Sequence, residues 1–312
     1  MIKKLFIGNS ALKVSRLCFG GEQLGGYNLG DYNLDETIEA AHKAIEYGVN
    51  FFDTADCYNL GESEKNISKI IKPYSRDELI LSSKFGVRYD KIKKCIFYDN
   101  SKKWLDTALA GSLKRLKTDY IDLYQLHHWD QKTSLESIFE NLEKKCKSGQ
   151  IRYYGVSNLN DISKYLNDFP NLISFSNEYS LLNREFENNI DSNLSSGISF
   201  LAFGVLAQGL LSGKYDSNSK FKNNDRRSNP KYLNFHGEKL KNNLKFISKI
   251  NKNFKNKPGY SLSNFSISWV LNKFNKSIII LGIKSKSQLE KNIIGFNHIL
   301  SKKELSFLDK LL

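Results

Sequence analysis

From Leu17 to Leu281, short apolar runs alternate with longer stretches whose apolar residues recur at helical spacing, and this alternation leaves the chain very few folds. A strand followed each time by a helix is carried back to its starting end, so successive strands lie parallel and both sheet faces are covered. Strands are expected at 16–19, 49–52, 78–84, 120–127, 152–156, 172–177, 198–203 and 277–281. Helices are expected at 35–47, 62–71, 104–116, 135–146, 162–166, 185–194, 240–250, 264–273 and 288–294, and again from Lys303, with a long irregular segment at 204–237. About eight such pairs is the count of a closed (β/α)8 TIM barrel, here with an amino-terminal β-hairpin as a lid or plug and extra carboxyl-terminal helices. An open doubly wound sheet is the alternative. It would carry a glycine fingerprint at its first turn, and Gly20-Gly21-Glu22-Gln23-Leu24-Gly25-Gly26 has a different spacing.

No low-complexity block or Pro/Ser-rich linker divides the 312 residues, so one domain covering 1–312 is expected. No apolar run is long enough to cross a bilayer, and Met1-Ile2-Lys3-Lys4 leads straight into Leu5-Phe6-Ile7, so a cytoplasmic protein without a membrane partner is expected. Cys18, Cys57, Cys95 and Cys146 form neither a disulfide framework nor a metal-like spacing, and no metal site is expected. The net charge of +14 asks for an anionic partner. Basic residues are dispersed, as on the helix back from Lys239 to Lys255, so solvated surface is the preferred reading and no nucleic-acid partner is expected; a phosphorylated cofactor or substrate remains.

In a barrel, chemistry collects at the carboxyl ends of the strands. Three such ends carry Asp53 with Tyr58, Lys84 and His127, and closure would aim them at one cavity. Each has a plainer reading alone: a helix-capping Asp, a surface Lys, a core or capping His. Together they have a chemistry. A phenol with a pKa near 10 donates a proton poorly unless its anion is stabilised. Asp53 would hold Lys84, Lys84 would lower the pKa of Tyr58, and Tyr58 would deliver a proton to a carbonyl oxygen oriented by His127. The carbonyl carbon then needs a hydride that no side chain can supply, so a nicotinamide cofactor is implied.

These residues resemble the aldo-keto reductase family from about Leu12 to Asn297. The likeness lies in Asn50-Phe51-Phe52-Asp53-Thr54-Ala55, Ser83-Lys84-Phe85-Gly86, Asp122-Leu123-Tyr124-Gln125-Leu126-His127, Gly155-Val156-Ser157-Asn158, Gly209-Leu210-Leu211-Ser212-Gly213 and Gly282-Ile283-Lys284-Ser285. The resemblance implies a catalytic tetrad of Asp53, Tyr58, Lys84 and His127. It implies cofactor contacts from Gly21, Glu22, Asp53, Ser157, Asn158, Ser176, Phe203, Gly204, Leu206, Gly209, Leu211, Gly282, Lys284, Ser285, Gln288 and Asn292. Lys284 beside a 2′-phosphate favours NADPH over NADH. The chain departs from the family where Ser176 replaces a common Gln, Phe203-Gly204-Val205 replaces Tyr-Ser-Pro, Glu22-Gln23 replaces Thr-Trp and Leu281 replaces a Pro.

Glu22, Tyr27, Trp129 and Arg226 are expected to line the substrate pocket, with Arg226 or Arg227 placed to receive a phosphate. The expected reaction is reversible, NADPH-dependent reduction of a small polar, sugar-derived aldehyde or ketone. The alternatives are a cofactor-binding regulatory module without turnover and an isomerase using transient oxidation. Net consumption of NADPH, tight binding alone, or product change without consumption distinguishes the three. Oligomeric state is not readable from the sequence.

Overall fold

The computed structural model describes residues 1–90, 92–93 and 95–311. In chain order its elements are β1 (Lys4–Phe6), β2 (Lys13–Ser15), β3 (Leu17–Gly20), α1 (Leu34–Glu46), β4 (Phe51–Asp53), α2 (Glu62–Ile71), β5 (Ile80–Phe85), β6 (Val87–Asp90), β7 (Cys95–Tyr98), α3 (Lys102–Leu116), β8 (Ile121–Leu126) and α4 (Leu135–Lys147). They continue as β9 (Ile151–Ser157), β10 (Leu172–Glu178), α5 (Glu187–Ser195), β11 (Ser199–Phe203), α6 (Gly237–Phe254), α7 (Leu262–Lys273), β12 (Ile278–Gly282), α8 (Lys286–Asn297) and α9 (Lys302–Asp309). Strands β3, β4, β5, β8, β9, β10, β11 and β12 close into one parallel barrel. The barrel read from the alternation is therefore the fold.

The helices start where short polar side chains can take up free backbone N–H groups. Asn33 Oδ1 accepts from Asp35 N at 2.9 Å ahead of α1, Ser134 Oγ accepts from Ser137 N at 3.2 Å ahead of α4, and Ser301 with Glu304 forms a reciprocal capping box ahead of α9. Helix α7 is buried on nearly every side, between the barrel and α8. Small residues permit this, since a Cβ on Gly295 would stand 2.9 Å from Ile267 Cβ.

Two readings need correction. Residues 162–166 form only a 3-10 turn, Ser163–Tyr165, because Asp161 Oδ1 caps Ser163 N at 2.8 Å and five residues are too few to sustain an α-helix. The unforeseen antiparallel pair β6 and β7 follows β5. Its turn is built locally, with Asp90 Oδ1 accepting from the backbone of Ile92 and Lys93 at 2.9 Å each.

Hairpin β1–β2 closes the amino-terminal end of the barrel. Ile7, Leu12 and Val14 join Cys18, Phe51, Ile80, Leu123, Ile173, Leu201 and Ile278 in one apolar cluster, and Gly8 N donates to Ser199 Oγ at 2.7 Å. Above that floor the inward side chains become polar. Phe51 is followed two residues on by Asp53, Ile80 by Ser82 and Lys84, and Leu123 by Gln125 and His127. Strand side chains alternate with period two, so these form successive layers rising to the carboxyl-terminal face.

Candidate active site

Register brings the layers together: Asp53 pairs with Ser82, and Lys84 with Gln125. Asp53 is 2% and Lys84 4% exposed, and their side chains form an ion pair. Ions this dry persist only when their remaining hydrogen-bonding capacity is filled. Asp53 Oδ2 accepts from Ser82 Oγ at 2.9 Å and from Gln125 Nε2 at 3.0 Å. Lys84 Nζ also donates to Thr54 O at 2.9 Å and to Tyr58 Oη at 3.5 Å. The ring of His127 stands edge-on to that of Tyr58, with centroids 5.9 Å apart. Four side chains read from three strand ends thus come together in one group. Ser82 and Gln125 were missed, although each lies two residues before a member of the group on the same strand face.

The electrostatics follow from burial. Burial alone would lower the Lys84 ammonium, but the charge of Asp53, the Tyr58 phenol and the hydrogen bonds to both together outweigh it and hold Lys84 above the ordinary lysine range. Burial raises the Tyr58 phenol, with Lys84 opposing that rise. The expected downward pull of Lys84 is present, yet desolvation outweighs it, and Tyr58 stays protonated at neutral pH. Burial, with the Lys84 charge behind it, depresses His127 well below its usual range and leaves a neutral imidazole.

Asp56 lies one turn from this group, its Oδ1 buried without a hydrogen-bond partner. Burial pushes its carboxyl up to about 8, and the charge of Glu64 adds to the rise. An unfolded Asp ionises near pH 3.9, so between those values the folded chain holds one proton more than the unfolded chain and stability falls as pH rises. Asp56→Asn should remove this slope. In urea unfolding, wild type is expected to lose roughly 3–4 kcal/mol relative to the variant between pH 5 and pH 8, and parallel curves would contradict the assignment.

The neighbouring segments enclose the mouth. Asn158 adopts a left-handed φ of 58°, and its Nδ2 donates to His127 O at 3.1 Å and Ser157 Oγ at 3.0 Å. It therefore faces the site, while Asp161 caps the turn that follows. Ser176 Oγ reaches Gln125 Oε1 at 3.4 Å from within the barrel, and Phe203 is half-buried at the end of β11. After Gly204, residues Ala207, Gln208 and Gly209 have φ of 46°, 52° and 98°. Consecutive left-handed residues of which two are not glycine mark stored backbone strain, commonest at ligand sites.

A model of the aldo/keto reductase family matches residues 16–312. The chain belongs to the aldo-keto reductase family. It is 31% identical over 95% of its length to the uncharacterized oxidoreductase YqkF of Bacillus subtilis, covering 92% of that protein. It is 29% identical over 98% of its length to the L-glyceraldehyde 3-phosphate reductase of Escherichia coli K12, covering 91% of that protein. The solved glycerol dehydrogenase AKR11B4 of Gluconobacter oxydans superposes with a TM-score of 0.86 at 26% identity, over 99% of this chain and 94% of that one. As a member, this aldo-keto reductase is an NAD(P)H-dependent oxidoreductase.

The residues at the mouth fit such a cofactor. Gly21 lies so close to the β4 end that a Cβ would stand 2.7 Å from Asp53 O, and Gly282 similarly leaves room only for the side chain of Gln23. Buried polar atoms wait without partners there: Asn292 Nδ2 and Gln23 Oε1. Ser285 Oγ caps α8 through Gln288 N at 3.3 Å, Gln288 Oε1 accepts from Lys284 N at 2.8 Å, and Lys284 Nζ reaches Leu29 O at 2.7 Å. Leu206 and Leu211 are buried beneath the strained turn at Gly209.

The irregular segment read at 204–237 is a strap laid across the mouth. Leu29 bridges Asp225, Gly30 N donates to Asn224 O at 3.1 Å, and Arg226 N donates to Asn28 O at 3.0 Å. Neither strap arginine has a free fork. Arg226 grips both carboxylate oxygens of Glu22, one at 2.9 Å, and Arg227 Nε donates to Asp225 Oδ1 at 2.8 Å. Trp129 Nε1 is tied to Thr133 O at 2.7 Å within its own loop, and Tyr27 is 67% exposed.

Proposed function

We propose that this enzyme reduces a small, uncharged, polar aldehyde or ketone with NADPH, the proton coming from Tyr58. The supporting observation is Lys84 Nζ, which touches Asp53 on one side and Tyr58 Oη on the other. The cofactor supplies the hydride. Tyr58 holds its proton until negative charge develops on the substrate oxygen, and the Lys84 ammonium then stabilises the phenolate left behind. Asp53 keeps that ammonium charged and aimed. His127, being neutral, orients the oxygen by hydrogen bonding without competing for the proton.

Several features support the finer points. Lys284 has Arg227 and Arg226 as cationic neighbours, and its ammonium is depressed by burial and by their charges. An anion lying there relieves the crowding, as a 2′-phosphate would, and this favours NADPH over NADH. Glu22, Tyr27, Trp129 and Arg226 remain the proposed substrate wall. Because Glu22 occupies the Arg226 fork, a phosphorylated substrate would have to displace a carboxylate from a bidentate pair, whereas a hydroxyaldehyde would not. The exposed free thiol of Cys95 fits a reducing, cytoplasmic setting.

Following NADPH consumption with glyceraldehyde, glyceraldehyde 3-phosphate and related hydroxyaldehydes tests the reading. The neutral compounds should be turned over preferentially, and no net consumption with any of them would overturn it. Glu22→Gln should release Arg226 and shift the ratio of kcat/KM values toward the phosphorylated aldehyde by roughly tenfold, the value of one charge-assisted contact.

A further inference from the structure

Cys57 stands between Ala55-Asp56 and Tyr58, and nothing assigned so far uses it. Its Sγ lies 3.5 Å from His127 Nδ1. The other restraints on that imidazole are known: His127 N donates to Phe85 O at 2.9 Å, His127 O accepts from Asn158 Nδ2 at 3.1 Å, and the ring stacks on His128 with centroids 5.1 Å apart. These fix the backbone and the ring plane, but none touches a ring nitrogen. Among the described residues, Nε2 has no hydrogen-bond partner in the protein, so it is the nitrogen left for a ligand.

A neutral imidazole carries one N–H, and which nitrogen bears it decides what the other can do. With the proton on Nδ1, Nε2 is a bare acceptor and repels a substrate oxygen. With the proton on Nε2, the ring donates a hydrogen bond to that oxygen. The thiol discriminates between the two. Burial raises Cys57 far above its ordinary range, with the carboxylate of Asp56 adding to the rise, so the sulfur keeps its proton. A protonated sulfur can donate to the strong acceptor Nδ1, whereas an Nδ1–H would face a sulfur that accepts poorly.

We propose that Cys57 is a positioning residue that donates its S–H to His127 Nδ1 and so holds the imidazole as the Nε2–H tautomer. The inference rests on the reading of His127 as the group that orients the substrate oxygen, but its readout does not depend on turnover. In the full-length enzyme labelled with 15N-histidine, long-range 1H–15N correlation reads the tautomer of each imidazole, with His127 assigned by its loss in His127→Gln. Wild type should show one tautomer at His127, protonated at Nε2. Cys57→Ser, whose hydroxyl can still donate, should keep it. Cys57→Val should give a mixed pattern at His127 while His42, His236 and His298 stay unmoved. In steady-state assays Cys57→Val should lose about two- to tenfold in kcat, the value of one neutral hydrogen bond, with NADPH affinity unchanged and Cys57→Ser restoring most of the loss. An Nδ1–H tautomer in wild type, or an unmixed Nε2–H tautomer in Cys57→Val, would overturn the assignment. A correct tautomer in an enzyme that turns over no carbonyl compound would instead count against the proposed reaction and leave the role of Cys57 standing.

Discussion

Tyr58→Phe is expected to lower turnover by about 10²- to 10⁴-fold, the range that a positioned general acid contributes. The ring should stay in place, because its edge-on packing against His127 does not involve the hydroxyl. The hydroxyl's contact with Lys84 is long, 3.5 Å, so its loss leaves the ammonium with Asp53 and Thr54 O as partners. NADPH affinity, read by quenching of protein fluorescence, should therefore change little. Loss of turnover with intact binding separates a proton donor from a residue that shapes the cavity. A variant turning over within tenfold of wild type would remove Tyr58 from the proposed role.

Lys84→Met should damage both stability and chemistry. Removing the cation leaves the Asp53 carboxylate buried with two neutral donors, Ser82 and Gln125. Breaking a buried pair in this way costs about 3–5 kcal/mol. The sign with pH is definite. Lys84 is held above the ordinary lysine range, so its contribution is complete below about pH 10 and is lost only as pH rises through the folded-state value. The Lys84 side of the pair does not titrate between pH 6 and pH 9, whereas the unpaired Asp53 of the variant is pushed toward its neutral form by burial. The measured destabilisation should therefore hold or grow as pH rises across that window, and a cost that shrank with rising pH would contradict the pairing. Adding Asp53→Asn should recover much of the stability, because no unpaired charge remains. It should not recover turnover, because Tyr58 still lacks the cation that stabilises its phenolate.

The order of strands and the group at their tips could be read because both rest on short-range rules. Apolar runs that alternate with helical spacing specify parallel strands, and Asp53, Lys84 and His127 sit where those strands end. What escaped depends on contacts between distant parts of the chain. Gln125 and Ser82 are ordinary polar residues until the β4, β5 and β8 register places them under Asp53. Arg226 and Arg227 looked available for a phosphate because charge is visible in a sequence, but Glu22, 204 residues away, is not visible as a partner. The β6–β7 hairpin was hidden by the short connection that its turn requires. The sum at Tyr58 was missed for a similar reason: the neighbouring ammonium could be inferred, whereas the weight of desolvation appears only once the cavity is built.

The plug of β1 and β2 bears on traffic at the opposite end. Ile7, Leu12 and Val14, each 1% exposed or less, pack an apolar layer below Asp53, which among the described residues offers water no polar lining from underneath. On the proposed mechanism, the proton that Tyr58 gives up must be replaced by water arriving through the opening that the alcohol vacates. Re-arming the phenol and emptying the pocket then share a single doorway, so one must follow the other, and a bulky alcohol that lingers should delay the next proton as well as the next substrate.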